Sequence, residues 1–428
     1  MVVEFSVENF KSFKAKQTFS LVAGKNKELL SENTFEVTKD VRLLRSAVIY
    51  GANASGKSNF FEALTFFFDF AINSGPSLQV GDSIEDVHPF LFSKQTMEEP
   101  STFELLFFLK NGESKPIRYR YGFTVNQDKV CEEYLFAILN VQEIELFTRE
   151  GQTIKYNQKY FGEGEPAMKI TRENASFLSV CALLNGDRAK EVVLFFQNFS
   201  TGLNNRKAQT LFKLDDPKYR ERIVDFLRCA DIQILDVNSK DVPYIYRVRA
   251  PDGTIEKKQR MQKKASYSHA FYDKEDVVSK VDFDEENESL GTRKLFQFAA
   301  LILESLDNGF PVFIDEFDSS LHPLIVESIL KLFNSSKTNT GNGQLVISCH
   351  AVHIMRKDIF RRDQIWFCEK DPYGATELYS LVEYVEPDTH ESVRNDAAFN
   401  KNYLKGKYGG IPYINEINMQ LADNNNGV

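Results

Sequence analysis

The segment GANASGKS at residues 51–58 constrains the fold of this chain more than any other feature. It fits the pattern G-x-x-x-x-G-K-[ST], in which two glycines let consecutive backbone N–H groups curve around phosphate oxygens. The apolar run AVIY precedes the loop at 47–50, and the segment NFFEAL follows it at 59–64. An anion site of this kind needs a buried strand before it and a helix N-terminus after it. The sequence therefore predicts a strand, loop and helix that hold the phosphates of a nucleotide.

The residues of this loop differ in their expected roles. Lys57 would reach the β- and γ-phosphates, and the hydroxyl of Ser58 would bind Mg²⁺. A Gly/Ser turn without a ligand is the alternative, and the full pattern with both flanking elements argues against it. The residues expected to contact the nucleotide are Gly51, Asn53, Ser55, Gly56, Lys57, Ser58 and Asn59.

Two adjacent carboxylates follow a second apolar run, in the segment PVFIDEFDSSLHP at 311–323. A buried strand that ends in such a pair presents it at the C-terminal edge of a sheet, where ligands bind in open α/β folds. Asp315 would hold the hydration shell of Mg²⁺, and Glu316 would act as the general base for an attacking water. The alternative is that both carboxylates cap an ordinary strand end.

Two further segments add to this site. ESLGT at 288–292 stands directly before a predicted helix, so Ser289, Gly291 and Thr292 offer amides and hydroxyls for a second phosphate-binding end. His350 ends the run QLVISCH, where an imidazole would contact the γ-phosphate. Taken alone, the first segment is typical of a helix cap and the second of a structural histidine.

Length and composition exclude several classes of protein. The chain has 428 residues, 42% of them hydrophobic and 26% charged, as in an ordinary soluble protein. Its net charge of −9 argues against nucleic-acid binding over the whole surface but allows one local basic patch. The apolar runs at 60–72 and 295–306 are too short to span a bilayer, so no membrane partner is expected. No secretory signal opens the sequence, and the five cysteines form no C-x-x-C pair, which favours a cytoplasmic protein with reduced thiols.

Hydrophobic periodicity predicts strands that alternate with helices, which favours an α/β fold with a mixed sheet. Strands are predicted within 1–23 and at 47–50, 103–109, 118–125, 144–149, 312–314, 345–348 and 364–367, and helices at 58–72, 172–199, 219–229 and 290–306.

A basic segment lies at 240–264, around the turn Pro251-Asp-Gly253. A solvated β-hairpin is the favoured interpretation, and a contact patch for nucleic acid or an acidic partner at 247–264 is the alternative. No heptad pattern is long enough for a coiled-coil arm.

The phosphate loop, the Ser-Leu-Gly-Thr segment, the Asp-Glu pair and the histidine after a strand, in this order, resemble the ATPase heads of the ABC superfamily, including SMC and RecF-type proteins. The resemblance implies that 51–58 is a Walker A motif, that 289–291 is the signature motif, that 315–316 is Walker B and that His350 is the switch histidine. It also implies ATP and Mg²⁺ as ligands. In such heads the signature of one protomer covers the ATP of the other, which implies a homodimer. The Q-loop glutamine has no distinctive position, and Gln95 is one candidate.

The segments ENFKSF, YGANASGKSNFFEAL, ESLGTRKLFQFA, DEFDSSLHP, DQIWFCEKD and YLKGKYGGIP narrow the resemblance. They are similar to bacterial AAA family ATP-binding proteins of the RloA and AbiL type, which are related to OLD-like ATPases of anti-phage defence and abortive infection. The implied organisation is an N-terminal lobe of an ATPase head at 1–150, an inserted helical and hairpin subdomain at 151–285, a C-terminal lobe at 286–420 and a polar tail at 421–428.

The expected function is a slow, regulatory ATPase that forms an ATP-sandwich dimer and controls a companion effector, such as a nuclease. A RecF-like or SMC-like ATPase of DNA repair is the first alternative, and the basic segment keeps it open. A scaffold that binds ATP without hydrolysing it is the second.

Overall fold

The computed structural model describes residues 1–412 except 111–114, 140–141, 205, 230–232, 250–253, 275 and 387–389. The predicted polar tail at 421–428 and the predicted turn at 251–253 lie outside the described residues. The strands are β1 (Val2–Glu8), β2 (Gln17–Ser20), β3 (Thr34–Thr38), β4 (Val41–Leu44), β5 (Ser46–Gly51), β6 (Ser101–Leu109), β7 (Ile117–Val125), β8 (Val130–Ile138), β9 (Glu143–Glu150), β10 (Thr153–Tyr156), β11 (Ile234–Arg249), β12 (Ile255–Asp273), β13 (Asp276–Asp284), β14 (Pro311–Ile314), β15 (Gln344–Ser348), β16 (Ile365–Lys370) and β17 (Thr376–Ser380). The helices are α1 (Leu30–Asn33), α2 (Lys57–Ser77), α3 (Gly164–Met168), α4 (Phe177–Leu183), α5 (Asp187–Asn204), α6 (Arg206–Lys213), α7 (Pro217–Arg228), α8 (Leu290–Asn308), α9 (Pro323–Phe333) and α10 (Phe399–Leu404).

The central sheet has the order β14-β15-β5-β16-β17. Its first four strands are parallel, and β17 pairs antiparallel with β16. Every residue of β5, β14 and β15 is buried, because helices and a second sheet cover both faces. Since parallel strands end at one edge, the segments after β5, β14 and β15 meet there, as the α/β interpretation predicts.

A second, antiparallel sheet has the order β10-β9-β8-β7-β6-β1-β2. The predicted strands at 103–109, 118–125 and 144–149 are confirmed as β6, β7 and β9, whereas β8 between them was not predicted. Helix α2 packs on this sheet with aromatic side chains, since Phe67 stacks on Phe123 with ring centroids 5.3 Å apart. The predicted α/β class, a mixed sheet flanked by helices, is confirmed.

Helices α4 and α5 lie against α2 and share its hydrophobic core. The ring centroids of Phe68 on α2 and Phe199 on α5 are 3.9 Å apart. A second core joins α7, α8 and the base of the three-stranded sheet β11-β12-β13, where Tyr267 packs edge-on against Phe296. The boundaries at 150 and 285 stay a prediction. These contacts attach the start of the segment 151–285 to α2 and its end to α8.

None of the helices within the described ranges is both long enough and apolar enough to cross a bilayer.

Candidate functional site

The backbone and the packing of the loop after β5 require both glycines of the motif. Gly56 adopts φ 111°, a conformation that side-chain-bearing residues rarely take, and a Cβ atom there would lie 2.2 Å from Oγ1 of Thr376. A Cβ atom on Gly51 would lie 2.5 Å from the carbonyl oxygen of Cys368. The glycines of the motif therefore serve close packing of the loop as well as access for a phosphate.

Lys57 begins α2 and folds back over the loop. Its buried ammonium group donates to the carbonyl oxygens of Gly51 and Ala52, each at 2.8 Å. Burial lowers the pKa of Lys57, and the nearby carboxylates of Asp315 and Glu316 act in the opposite direction. The structure thus brings the lysine of the loop and the predicted carboxylate pair into one electrostatic environment, although 258 positions separate Lys57 from Asp315 in the sequence.

A hydrogen-bonded network supports the loop from behind, and the sequence analysis missed it. The hydroxyl of Thr376, at the start of β17, donates to the carbonyl oxygen of Ser55 at 2.8 Å, and its oxygen lies 2.7 Å from Oγ of Ser12. The amide of Asn59 also donates to Oγ of Ser12, at 2.6 Å. Asn59 was expected to contact the nucleotide, and its side chain is placed in this supporting network.

The other predicted loop residues divide by exposure. Asn53 and Ser58 are exposed, so their side chains are accessible to a ligand. Ser55 is buried, and its hydroxyl oxygen has no hydrogen-bond partner among the described residues. A buried polar atom without a partner is unusual in a folded protein. A phosphate oxygen in the cradle would supply that partner.

The carboxylate pair lies where β14 ends, and Ser348 organises it. The hydroxyl of Ser348, the last residue of β15, donates to Oδ1 of Asp315. The same hydroxyl oxygen accepts from the backbone N–H of Glu316 at 2.7 Å. Glu316 has φ 46° and is exposed. Backbone strain of this kind concentrates at functional positions.

His350 is held beside this pair through its backbone. Its N–H donates to Oδ2 of Asp318 at 2.9 Å, and its residue is exposed directly after β15. Asp318 was not singled out in the sequence. Its contact fixes the chain at His350 relative to the loop after β14, while the imidazole stays accessible.

The Ser-Leu-Gly-Thr segment forms the N-terminus of α8 at the surface. Ser289 is the N-cap and accepts from the N–H of Thr292 at 3.0 Å, so the predicted helix cap is present. Leu290 is 63% exposed. A Cβ atom on Gly291 would lie 2.9 Å from the carbonyl oxygen of Ser320, which shows how closely this turn approaches the loop after β14.

Lys294, one turn further along α8, ties the two segments together. It donates to the carbonyl oxygen of Glu316 at 2.7 Å and to the carbonyl and hydroxyl oxygens of Ser319 at 2.9 and 2.8 Å. A cleft of about 430 Å³ opens beside this contact, lined by Leu290, Arg293, Asp315 and Glu316 among others. The signature-like helix and the carboxylate loop therefore form one surface of the protomer.

Glu288, directly before this helix, makes a buried contact with the three-stranded sheet. Its Oε1 lies 2.6 Å from Nε2 of His269 on β12, and both side chains are at most a tenth exposed. The sheet that carries the basic hairpin is thereby joined to the residue that precedes Ser289. No local sequence pattern links the two residues, because they belong to different elements.

Gln95, the candidate for a Q-loop glutamine, is exposed and donates to Glu99 at 2.9 Å. The structure records no contact between it and the phosphate loop in the described part of the chain.

The chemistry of the site suits Mg²⁺ together with a triphosphate. Ser58 offers a hydroxyl at the helix start, and Asp315 offers a carboxylate whose two recorded hydrogen bonds both use Oδ1. Hydroxyl and carboxylate oxygens, completed by phosphate and water, are the ligands Mg²⁺ prefers. In the described ranges, no group of three or more His, Cys, Asp or Glu side chains is arranged to bind a metal.

Residues 46–356 match a family model described as "AAA domain, putative AbiEii toxin, Type IV TA system". A comparison with curated proteins gives no match.

Two solved structures show a distant likeness. One is an SMC head domain from Thermotoga maritima, at 14% identity, with 89% of this chain and 98% of that chain covered and a TM-score of 0.41. The other is an SmcHead bound to the C-winged helix domain of ScpA, at 11% identity, with 89% and 97% covered and a TM-score of 0.38.

Proposed function

Because this chain belongs to the AAA domain family whose model matches residues 46–356, we propose that it is an ATP hydrolase that works as a dimer and controls a companion effector. The observation that carries the proposal is the edge of the central sheet. There β5 ends at the phosphate loop, β14 ends at Asp315 and β15 ends beside His350. Loop amides, a lysine, a carboxylate pair and an imidazole are the groups that hydrolysis of a nucleoside triphosphate requires.

Each residue of the candidate site has a defined part in this proposal. The amides of 51–58 and the ammonium group of Lys57 hold the phosphates, and Ser58 with Asp315 would hold Mg²⁺. When bound, Mg²⁺ offsets negative charge on the phosphate oxygens. Glu316 accepts a proton from water as the water oxygen bonds to the γ-phosphorus and the bond to the ADP oxygen breaks. His350 donates a hydrogen bond to the γ-phosphate.

We infer the dimer from the position of the signature-like turn, the start of α8 at Ser289 and Leu290. Ser289 and Leu290 are exposed at the start of α8, so a second protomer can place its own triphosphate against them. ATP held between two protomers stabilises the closed dimer through contacts that exist only in that state, and hydrolysis removes them. Lys294 then links the trans-acting turn to the general base of its own protomer.

The family description names a toxin and a toxin–antitoxin system, which supports action together with a second gene product. We therefore propose that the closed and open dimers differ in their control of a companion effector, in the manner of anti-phage and abortive-infection ATPases of the RloA and AbiL type. A nuclease is the effector class that we favour.

The test combines solution mass with phosphate release. Light scattering with and without ATP and Mg²⁺ is compared for the wild type, Glu316→Gln and Lys57→Ala, with phosphate followed in the same samples. We expect ATP to drive dimerisation, Glu316→Gln to trap the dimer without turnover and Lys57→Ala to abolish both. Glu377→Gln, an exposed substitution on β17, is the matched control.

Two outcomes would replace this proposal. If ATP drives assembly but the wild type releases no phosphate and Glu316→Gln does not prolong the dimer, the chain is a non-hydrolysing scaffold. If neither mass nor phosphate responds to ATP, the proposed ATPase is wrong for the isolated chain. In the RecF-like or SMC-like alternative, the dimer acts on DNA in place of a companion effector, and the basic hairpin is the observation that favours it.

A further inference from the structure

The hairpin of β11 and β12 extends far beyond the body of the protein. Its base is anchored, since Ile234, Val237, Ala265 and Tyr267 belong to the second hydrophobic core. Strand β13 pairs with β12 only from Ser266 to Asp273. Beyond that point, residues 243–249 and 255–261 pair only with each other in the described structure. We call these two segments the distal ribbon, and at about 3.4 Å per residue its seven pairs span roughly 20 Å.

The distal ribbon has a charge opposite to that of the whole chain. It carries five basic side chains and one acidic one, in a protein whose net charge is −9. The basic residues are Arg247, Arg249, Lys257, Lys258 and Arg260, and the acidic one is Glu256.

Lysines at the base of the hairpin differ from those of the distal ribbon. Lys263 pairs with Asp215 at 3.0 Å, and Lys264 pairs with Glu286 at 2.6 Å. These two ion pairs attach the base to neighbouring elements. In the distal ribbon the recorded ion pair is the loose one between Lys258 and Glu256, at 3.8 Å. The excess positive charge is therefore concentrated at the end that faces away from the core.

One face of the distal ribbon combines aromatic rings with a cation. Tyr244 and Tyr246 stack with an interplanar angle of 15°, and the guanidinium of Arg260 lies 5.3 and 5.7 Å from their ring centroids. Tyr244 is directly opposite Arg260 in the strand register. Cation–π contacts hold the arginine in an extended position while its N–H groups stay exposed.

The opposite face carries exposed apolar side chains between basic ones. Ile245, Ile255 and Met261 are each at least 60% exposed. One explanation of positive charges on a free strand edge is that they prevent edge-to-edge aggregation. That explanation accounts for lysines and arginines, but it does not account for exposed isoleucine and methionine or for a stacked Tyr–Tyr–Arg group. A second copy of the same ribbon is disfavoured as the occupant because like charges would face each other.

We propose that the distal ribbon is a binding site for duplex DNA. A two-stranded antiparallel ribbon fits the major groove of B-form DNA, whereas the major groove of A-form RNA is too deep and narrow for side chains to reach. Arg247, Arg249 and Lys257 contact phosphates on the groove walls. The apolar side chains face base edges, and Arg260, on the opposite face, is held in position for a phosphate. Affinity comes mainly from phosphate contacts and depends little on base sequence.

The test measures fluorescence anisotropy of a labelled 30-bp DNA duplex against protein at several salt concentrations, both with and without ATP and Mg²⁺. The test variant is Arg247→Gln, Arg249→Gln, Lys257→Gln and Arg260→Gln together. The matched control replaces four exposed lysines elsewhere, Lys129, Lys155, Lys169 and Lys337, by Gln. Both variants remove four positive charges, so they change the net charge of −9 equally.

We expect the wild type and the control to bind DNA with similar affinity, and the ribbon variant to bind at least about tenfold more weakly. Each phosphate contact contributes about 0.9 to the slope of log affinity against log salt, so the slope should fall by about 3 in the ribbon variant. Equal losses in both variants would show non-specific attraction and overturn the proposal. So would an equal or higher affinity for duplex RNA, or the absence of DNA binding under every condition. Because binding is also measured without ATP, failure here is distinct from failure of the proposed ATPase.

Discussion

The ammonium group of Lys294 on α8 donates to the backbone carbonyl of Glu316, 2.7 Å away. This bond joins the turn that a partner protomer would contact to the residue proposed as general base. Glu316 has positive φ, so its conformation depends on such outside contacts.

We predict that Lys294→Met lowers phosphate release about tenfold or more while ATP affinity changes little. The reason is that a hydrogen bond from a charged group contributes about 1.5–3 kcal/mol, and about 1.4 kcal/mol corresponds to tenfold in rate. Phosphate release and binding of a fluorescent ATP analogue are measured side by side. Lys331→Met, an exposed lysine on α9, is the control. Equal loss of binding and turnover would show that Lys294 only maintains the fold.

A second prediction concerns Thr376, which supports the phosphate loop. Thr376→Val keeps the shape of the side chain but removes the hydroxyl that takes part in both hydrogen bonds, leaving the carbonyl oxygen of Ser55 without this partner. We expect the free energy of unfolding to fall by about 1–3 kcal/mol and ATP affinity to fall with it. Urea denaturation and ATP binding provide the readouts, with exposed Thr153→Val as control. Unchanged ATP affinity in a destabilised variant would contradict a role in shaping the loop.

A third prediction concerns the buried contact between His269 and Glu288. Removing the imidazole in His269→Ala leaves the Glu288 carboxylate buried without this partner, which costs about 1–3 kcal/mol of stability. Because Glu288 precedes the signature-like turn, ATP-dependent dimerisation should weaken as well. His269→Gln, which can still donate a hydrogen bond, should restore part of both. Exposed His353→Ala serves as control. If the destabilised His269→Ala protein dimerises as strongly as the wild type, the contact between His269 and Glu288 does not support the turn at Ser289.

A fourth prediction concerns the cysteines. Burial raises the pKa of the Cys368 thiol to about 12, and burial also raises the pKa of Cys181 and Cys349. Cys229 is exposed. At pH 8 we therefore expect a thiol reagent to modify Cys229 rapidly and the three buried thiols only after unfolding, as followed by mass spectrometry of the labelled protein.

The raised pKa values of the buried thiols also predict how the stability of the protein changes with pH. Thiols of the unfolded chain lose their protons near pH 9, before those of the native state, so deprotonation above that pH favours unfolding. The free energy of unfolding should decrease from pH 8 to pH 10, less steeply in Cys368→Ala than in the wild type. An identical pH dependence in both proteins would exclude a contribution from Cys368.

Local patterns predicted the parts of the fold that are local. The strand, loop and helix around 47–72 are confirmed, because eight consecutive residues and their apolar neighbours specify them. Helix α8 and strands β14 and β15 are also confirmed, because each was predicted from its own local apolar pattern. Their meeting at one sheet edge followed from the rule that parallel strands end together.

Contacts between distant segments could not be predicted in this way. Thr376 and Ser12 are 364 positions apart, and no local pattern connects β17 with the turn after β1. The hairpin was predicted at 240–264, but its strands extend over Ile234–Arg249 and Ile255–Asp273. Alternation of apolar and polar residues marks a strand with one buried face, and the distal ribbon has solvent on both faces.

The place of β5 in the central sheet sets the order in which the protein can be built during synthesis. Its two neighbours, β15 and β16, are translated about 300 residues after it. A chain still growing on the ribosome can pair β6 to β10 early, since these strands follow one another. Until then both edges of strand β5 are unpaired. Unpaired strand edges promote aggregation and are bound by chaperones. Nucleotide can therefore assist folding only after nearly the whole chain has been synthesised.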